Sequence, residues 1–208
     1  MNDSFRIRNF ETADEPSCYG VCLKTGDNGA DGTHLFSDPR ILGHIFVGPY
    51  LKFEPELALV LEDEEGVCGY CIGTLNTTKF YEKFLKEWLP ALRPTHPEPK
   101  GDAASWTEDQ KLCHYIHHPQ VYYPAQFRPW PSHLHIDLLP RAQGKGFGRR
   151  MMRILETRLE DLGSTGIHLG VSSVNDNALA FYRSLGYKPV PDASPLPEDT
   201  VYLGKLLT

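Results

Sequence analysis

The chain has 208 residues, of which 40% are hydrophobic and 23% are charged. This length suits one domain with a continuous core, and this composition is that of a globular protein rather than a disordered one. The formal net charge of −6 argues against binding to a phosphate backbone as the main task, so no nucleic-acid partner is expected.

No stretch approaches the ~18 to 20 consecutive apolar residues that a membrane span needs, so no membrane partner is expected either. The N-terminus lacks the basic segment and apolar stretch of a signal peptide. Five cysteines are an odd number, and a chain of this size needs no disulfides for stability. The sequence therefore predicts a cytoplasmic protein with reduced thiols, as a monomer or a homodimer.

The first third of the chain predicts short elements separated by turns. Thr12 and Glu15 have the spacing of a capping box, and Asp38-Pro39 is typical of a helix start. Glu64-Glu65-Gly66 is typical of a hairpin turn. The predicted elements are a strand at 5–8, helices at 12–26 and 38–46, and paired strands at 57–61 and 67–75.

The middle of the chain is less regular. A helix is predicted at 78–89, followed by Pro90, Pro94, Pro97 and Pro99, which no regular element tolerates in its interior. A second helix is predicted at 106–117, before an aromatic and proline-rich stretch at 121–131. We interpret 77–131 as a long insertion in a single domain spanning 1–208, because it has too little apolar material for a core of its own.

The last third has the clearest pattern. Gly163 and Gly186 each follow an amphipathic segment, as expected of glycines that end helices. The stripe Phe147, Met151, Leu155 and Leu162 recurs at helical spacing. The predicted elements are strands at 132–139, 167–171 and 201–206 and helices at 146–162 and 175–185. This alternation predicts an α/β sheet with helices on its faces.

A glycine-rich turn joins the predicted strand at 132–139 to the next helix. Gly144, Gly146 and Gly148 let backbone amides approach an anion, and the helix N-terminus adds positive potential. Such a turn suits a pyrophosphate group, although a plain tight turn is the alternative. The basic residues of the same turn are Lys145, Arg149 and Arg150.

Two other nucleotide-binding motifs do not fit this turn. The Rossmann fingerprint needs Gly-x-Gly-x-x-Gly, and here the third glycine comes one position too soon. A Walker loop needs Gly-Lys-Ser/Thr, but Gly146 is followed by Phe147.

Two segments resemble the motifs of the GNAT acetyltransferase superfamily. The segment Gln143-Gly-Lys-Gly146-Phe-Gly148 resembles the family signature Gln/Arg-x-x-Gly-x-Gly/Ala. At the first position of this signature arginine is commoner than the glutamine found here. The family's next motif, Asn-x-x-Ala-x-x-Phe-Tyr-x-x-x-Gly-Phe, is resembled by Asn175-Asp-Asn-Ala-Leu-Ala-Phe-Tyr-Arg-Ser-Leu-Gly-Tyr187. Two motifs in the expected order and separation are together far more specific than either alone.

The resemblance extends over nearly the whole chain and is strongest at 132–188. It is closest to the acetyltransferase-like C-terminal domain associated with O-GlcNAcase and its stand-alone microbial relatives. The segments that carry this closer resemblance are His133-Leu-His-Ile-Asp-Leu-Leu139, Gly48-Pro-Tyr50 and Gly69-Tyr70.

The resemblance implies a fold of the α/β (α+β, GNAT-like) class, with a central, mixed and splayed sheet of about six to seven strands and helices on both faces. It also implies an acetyl-CoA-dependent N-acetyltransferase that acts on a primary amine (a protein lysine, an amino sugar or a small amine) by direct attack in a ternary complex. A catalytically silent module that binds acetyl-CoA or a protein partner is the alternative. The implied cofactor contacts are Leu138, Leu139, Gln143, Gly144, Lys145, Gly146, Phe147, Gly148, Arg149, Asn175, Asn177, Ala178 and Tyr182.

Acyl transfer to an amine requires a base, because a free lysine-type ammonium has a pKa of about 10.4. His133, His135 and Asp137 fall on one face of their predicted strand. We predict Asp137 as the base with His135 behind it; the alternative is that Asp137 only orients His135 through a hydrogen bond. The resemblance places Tyr182 beside the leaving sulfur, and backbone amides near Leu139 are the predicted oxyanion donors.

Four residues are predicted to contact the acceptor: Tyr50, His133, Tyr122 and Trp130. The aromatic stretch from Tyr122 to Trp130 fits either a lid over the acceptor or plain packing.

Two further sequence patterns are typical of other kinds of site, a redox-active cysteine pair and a zinc site. Cys68-Gly-Tyr-Cys71 has redox spacing, but it lies inside a predicted strand rather than at the helix start where such thiols are activated. The segment Cys113-His114-Tyr-Ile-His117-His118 offers the i, i+3 and i+4 spacing of three zinc ligands. No separate pattern nearby supplies a fourth ligand, so no metal is predicted.

Overall fold

The computed structural model describes residues 5–121, 123, 125–191 and 199–207. Within them the strands form one seven-stranded sheet in the order β1-β2-β3-β4-β5-β7-β6. All neighbours are antiparallel except β4 and β5, so the sheet is mixed, as predicted. The strands are β1 (Arg6–Asn9), β2 (Ala58–Asp63), β3 (Gly66–Thr74), β4 (Ser132–Leu138), β5 (Gly166–Ser172), β6 (Lys188–Pro189) and β7 (Thr200–Leu206).

Helices cover both faces of this sheet. Tyr70 of β3 faces Cys22 of the first helix. Gly73, three residues further along the same strand, faces the opposite side of the sheet, where Leu155 of the seventh helix lies. The helices are α1 (Glu15–Lys24), α2 (Ile41–Phe46), α3 (Gly48–Phe53), α4 (Thr77–Lys83), α5 (Leu89–Leu92), α6 (Glu108–His117), α7 (Phe147–Asp161) and α8 (Asp176–Ser184).

The sheet opens between its two parallel strands. β4 and β5 pair only at Ser132↔Ile167 and His133↔His168. By contrast, β3 follows β4 as far as Leu138, and β7 pairs with β5 along its whole length. Beyond His133 the two parallel strands therefore diverge and leave a gap in the middle of the sheet, which is the predicted splay.

The helix α7 differs from its prediction at its C-terminal end. Met151 and Leu155 are fully buried, as their spacing predicts, but Leu162 is 53% exposed. The helix ends at Asp161, one residue earlier than predicted, so Leu159 fills the inward position instead. Gly163 follows with φ +88°, a conformation that glycine adopts without strain.

The predicted capping box at Thr12 and Glu15 is wrong. The box is formed one residue earlier, by Glu11 and Asp14 around a short 3₁₀ turn that precedes α1. Asp14 also receives two hydrogen bonds from the guanidinium of Arg8, at 2.6 and 2.8 Å. This tertiary ion pair fixes which acid caps the turn, and local spacing alone does not reveal it.

The helix predicted at 78–89 is divided into α4, a π-helical turn over Phe84–Trp88, and α5. The helix α3 and the short strand β6 carried no local signal strong enough to predict them. Segment 77–131 contributes to the same hydrophobic cluster as the sheet through Phe80, Phe84, Leu89 and Ile116.

The longest helix in the described part of the chain, α7, has 15 residues. None of the described helices combines the length and the apolar character that crossing a membrane requires.

Candidate functional site

The glycine turn between β4 and α7 presents bare backbone to open space. Gly144 and Gly146 have φ of +71° and +82°, and Gly146 is the N-cap of α7. A Cβ added at either position would meet no atom within 4 Å, whereas one at Gly148 would lie 3.3 Å from both Leu138 Cδ1 and Phe181 Cζ. The first two glycines therefore expose the amides of the helix N-terminus, and the third lets α7 pack closely on β4 and α8.

Cationic side chains surround this turn. Arg149 donates to Ser184 Oγ at 2.9 Å, which ties the start of α7 to the end of α8. Lys145 Nζ lies 4.4 Å from the centre of the Phe5 ring, and the Arg150 guanidinium lies 5.6 Å from that of Phe147. The positive charge adds to the potential of the helix N-terminus and favours an anionic ligand.

A cleft of about 690 Å³ runs from the turn into the gap between β4 and β5. Leu139 and Lys145, two of the predicted cofactor contacts, do not line it. The structure brings the other eleven together on its walls: Leu138, Gln143, Gly144, Gly146, Phe147, Gly148, Arg149, Asn175, Asn177, Ala178 and Tyr182. Asn175 also caps α8, accepting a hydrogen bond from the Ala178 amide at 3.0 Å.

The backbone of Leu138, rather than that of Leu139, faces the gap. The Leu139 N–H donates to Cys68 O at 2.8 Å, so it is engaged with β3. Bonding directions alternate along an antiparallel strand, and the N–H and C=O of Leu138 therefore point away from β3. Gln143 Nε2 donates to this carbonyl at 2.7 Å. Of the backbone amides near Leu139 that we predict as oxyanion donors, the one of Leu138 faces the gap.

Asp137 lies in the same cleft with its carboxylate held by the Tyr70 hydroxyl. Tyr70, directly across on β3, donates to Asp137 Oδ2, while the nearby Thr25 hydroxyl donates to Val21 O at 2.9 Å. Burial raises the pKa of Asp137 despite the Tyr70 donor. No hydrogen bond joins Asp137 to His135 within the described residues, so the alternative in which Asp137 orients His135 is not what the geometry shows.

His135 faces a second cavity, of about 750 Å³, on the other side of the gap. Its ring packs edge-on against Tyr50 and Phe46, with ring centres 5.3 and 6.1 Å apart. Burial lowers the pKa of His135 to about 4, so the imidazole is neutral at pH 7.

His133 and Tyr50, both predicted to contact the acceptor, bind each other in the core. Thr77 Oγ1 donates to Pro131 O at 2.8 Å, so it accepts from His133 Nδ1, also at 2.8 Å. His133 Nε2 then accepts the Tyr50 O–H at 2.6 Å. Tyr50 is 3% exposed and lines neither cavity. Its hydroxyl group donates to His133 and points into the core. His133 lines the second cavity with a ring whose nitrogens are both engaged.

Three predicted site residues remain: Tyr182, Trp130 and Tyr122. Tyr182 is 8% exposed and forms a wall of the first cleft, and burial raises the pKa of its phenol, with the charge of Asp137 as a smaller cause. Trp130 packs against the backbone of Gly166 and Gly204 and lines neither cavity, so it serves packing rather than acceptor contact. Tyr122 lies outside the described residues.

Several residues of the second cavity were not singled out from the sequence. Asn28 lines both cavities and so marks where they meet, and its φ of +50° is unusual for a residue other than glycine. The Asn28-Gly29 pair is a turn signal visible in the sequence. The other members come from distant segments and carry no shared local pattern: Tyr81, Tyr115, His168 and Tyr202.

The two cysteines with redox spacing are both buried in β3. Burial raises the pKa of Cys68 to about 11 and also raises that of Cys71, so neither thiol is activated.

A mixed sheet that opens beside a glycine-rich helix N-terminus defines the fold of the N-acetyltransferases. Residues 33–187 match the family model described as "Acetyltransferase (GNAT) family". The chain belongs to this family and is an acyltransferase. Family membership also supports acetyl-CoA as the cofactor that the sequence predicts.

Three relatives show how far the likeness extends. The chain is 31% identical to Protein O-GlcNAcase of Rattus norvegicus over 204 residues, 98% of this chain but only 22% of that protein, so it spans about a fifth of its length. The crystal structure of SsHAT is similar at 32% identity and a TM-score of 0.89, covering 99% of both chains. The putative acetyltransferase yncA from Salmonella typhimurium, solved with its cofactor acetyl-CoA, shares the fold at 16% identity and a TM-score of 0.55, covering 99% of this chain and 95% of that one.

Proposed function

We propose that this chain transfers the acetyl group of acetyl-CoA directly to a primary amine while both are bound. The observation that carries the proposal is that two cavities share Asn28 in their walls and are both lined by β4, the strand that diverges from β5. One cavity contains the glycine turn and the other contains neutral histidine and tyrosine side chains. Two reactants entering from opposite sides would meet beside His135 and Asp137.

The first cleft fits coenzyme A at several points. The exposed amides of Gly144 and Gly146 suit the diphosphate at the N-terminus of α7. The C=O of Leu138 faces the gap and has a second lone pair, which suits an N–H of the pantetheine arm. When bound, acetyl-CoA supplies an acetyl group activated as a thioester. The side chains of this chain then provide proton transfer and charge stabilisation.

Asp137 is the base that the geometry favours. It lies in the first cleft, burial raises its pKa, and Tyr70 holds its carboxylate in place. A carboxylate with a raised pKa accepts a proton from an ammonium group more readily than a solvated one does. The Leu138 amide faces the position where negative charge develops on the carbonyl oxygen. Tyr182, which stays protonated because its pKa is raised, donates to the departing thiolate.

The acceptor is an amine that enters the second cavity. Burial lowers the pKa of His133, His135 and His168, so the histidines of its floor carry no positive charge at pH 7 and do not repel an ammonium group. A protein lysine, an amino sugar and a small amine all satisfy this condition.

A silent module is the second candidate, because the chain is similar to only 22% of Protein O-GlcNAcase, and that name does not describe an acetyltransferase. The two candidates are separated by measuring free-thiol release from acetyl-CoA with a panel of peptides, amino sugars and small amines. Release that depends on an amine supports the transferase. Binding of acetyl-CoA without release on any acceptor supports the module.

The cofactor site itself is tested by Gly146→Asp. The substitution puts a negative charge and a side chain into the open space before α7, so acetyl-CoA affinity is expected to fall by about 100-fold or more, from lost amide contacts and charge repulsion. Calorimetric titration with acetyl-CoA measures this directly.

Gly163→Asp is the matched control for Gly146→Asp. Gly163 has φ +88°, has no atom within 4 Å of an added Cβ, and follows the other end of α7. The backbone strain of the two variants is therefore similar, but only Gly146 faces the cleft. Equal affinities in the two variants would remove the diphosphate from this turn.

A further inference from the structure

A cluster of three metal-ligand side chains lies beside the helix that walls the second cavity. Glu98, His114 and His118 each bring one ligand atom to within 4.8 Å of the others. We propose that these residues bind one divalent transition-metal ion of the zinc type. This site is independent of the acetyl transfer proposed above.

The ligands come from two segments of the insertion. His114 and His118 are four residues apart at the end of α6, so they lie on the same side of the helix, and their ring centres are 4.6 Å apart. His118 Nε2 lies 2.6 Å from Glu98 Oε1 in the preceding proline-rich segment. The ring of His114 is held by Trp106, with ring centres 4.9 Å apart.

Glu98 is the ligand that the sequence pattern does not reveal. Of the four residues with zinc-like spacing, Cys113 is not part of the cluster, and His117 Nε2 instead contacts His96 O at 2.8 Å. Two imidazoles and one carboxylate form a ligand set that zinc uses when it keeps an open coordination position.

The electrostatics of the cluster favour a cation. The carboxylate of Glu98 is one source of negative charge, and the C-terminal end of α6 is a second. Lys111 lies one turn earlier, but its ammonium is paired with Glu108 at 2.6 Å. His114 Nδ1 is buried without a hydrogen-bond partner among the described residues, which is uncommon for a polar atom and calls for a ligand.

Closing the site requires only side-chain rotation. Zinc bonds of about 2.0–2.1 Å place tetrahedral ligand atoms roughly 3.4 Å apart. His118 Nε2 and Glu98 Oε1, now 2.6 Å apart, must separate by roughly 0.8 Å, and wider separations in the cluster, which reach at most 4.8 Å, must close by up to roughly 1.4 Å. The side chains of His118 and Glu98 are 54% and 50% exposed and are free to rotate, while His114 serves as the fixed ligand. Both histidines also line the second cavity.

The test is calorimetric titration of the full, tag-free chain with Zn²⁺. We expect one ion per chain, and affinity lower by about 10-fold or more in His118→Ala and in Glu98→Gln, since each loses one ligand. Both side chains are exposed, so circular dichroism should show unchanged folding. His34→Ala is the control, because His34 is also exposed but belongs to no cluster of this kind in the described residues.

Titration with Co²⁺ identifies the ligand atoms. Visible absorption bands without the near-ultraviolet charge transfer of a thiolate are expected, since the ligands are nitrogen and oxygen. Three outcomes would overturn the proposal: no binding, equal affinity in His118→Ala, Glu98→Gln and the unsubstituted chain, or a thiolate signal that disappears in Cys113→Ser.

Discussion

The carboxyl group of Asp137, which we propose as the base, lies in an unfavourable environment for its ionised form. Burial raises its pKa above the ordinary 3.8, and the Tyr70 hydroxyl donates to it. The folded state therefore binds this proton more tightly than the unfolded state does. The stabilisation is complete below pH 3.8 and is lost as the pH rises through the folded pKa, so the ionised form needed for catalysis is the less stable one.

Asp137→Asn is expected to lower turnover by about 100-fold or more and to raise the melting temperature at pH 7. The amide cannot accept the proton from the ammonium group, and it cannot ionise in the buried cleft. Activity of the unsubstituted chain should fall as the pH drops through the raised pKa, and this acid limb should be missing in the variant. Kinetics and calorimetry over a pH series check both effects.

Tyr70→Phe distinguishes a base from a purely structural carboxylate. Loss of the donor disfavours the ionised form of Asp137, so the acid limb of the rate profile should move to higher pH. An unchanged limb in Tyr70→Phe together with full activity in Asp137→Asn would assign the base elsewhere, with His135 as the next candidate.

Tyr182→Phe removes only the hydroxyl that we assign to the leaving thiolate. Turnover is expected to fall by about 10-fold or more with little change in the KM for acetyl-CoA, because the interaction forms as the sulfur departs. Steady-state kinetics of thiol release measure both constants.

Tyr187→Phe is the matched control for Tyr182→Phe. The two ring centres are 5.7 Å apart, but the Tyr187 hydroxyl donates to buried Glu156 at 3.0 Å and does not line the cleft. This variant should lose stability and keep its turnover. A Tyr182→Phe enzyme with unaltered turnover would leave the tyrosine as a packing residue.

At the level of elements, one buried chain of hydrogen bonds joins α3, α4 and β4. Tyr50 donates to His133, which donates to Thr77, which donates to the carbonyl of Pro131. The chain holds the first part of the insertion against the strand that carries Asp137. Its members lie far apart in the sequence, so no local pattern predicts it.

Tyr50→Phe is expected to destabilise the fold by about 1–3 kcal/mol, because it leaves His133 Nε2 buried without a donor. Affinity for acetyl-CoA should not change, since Tyr50 does not line the first cleft. Urea unfolding and calorimetry provide the two measurements. Tyr19→Phe is the control: its hydroxyl lies 3.3 Å from His44 Nδ1 in a less buried pair, so a smaller loss is expected. Equal losses would contradict the assigned hydrogen bond.

Local signals predicted the elements that build the cofactor cleft. The glycines of the turn and the helix stops at Gly163 and Gly186 each act within a few residues of their own position. The sequence did not predict contacts between segments, such as Arg8 with Asp14 or Glu98 with His118, because these depend on the folded chain. Strand alternation grouped His135 with Asp137, but the divergence of β4 from β5 gives each its own cavity.

At the scale of the whole molecule, buried neutral histidines make stability depend on pH. Burial lowers the pKa of His44, His135 and His168 to about 4 and that of His133 well below its ordinary value. The unfolded chain binds these protons below about pH 6.5, and the folded chain does not until about pH 4. The stability that they contribute is complete above pH 6.5 and is lost as the pH falls through this window.

The free energy of unfolding is therefore expected to decrease steadily from pH 7 to pH 4.5, as measured by urea titration at each pH. Asp137 and Glu54 act in the opposite sense, because burial raises their pKa values: their contribution grows as the pH falls through the raised values and is complete only below the ordinary 3.8 and 4.5, so these two groups offset part of the loss from the four histidines. His168→Asn removes one of the four groups and should flatten the decrease, whereas His34→Ala at an exposed site should leave it unchanged. A free energy of unfolding that stays constant from pH 7 to pH 5 would contradict the neutral histidine cluster and, with it, the uncharged floor of the second cavity.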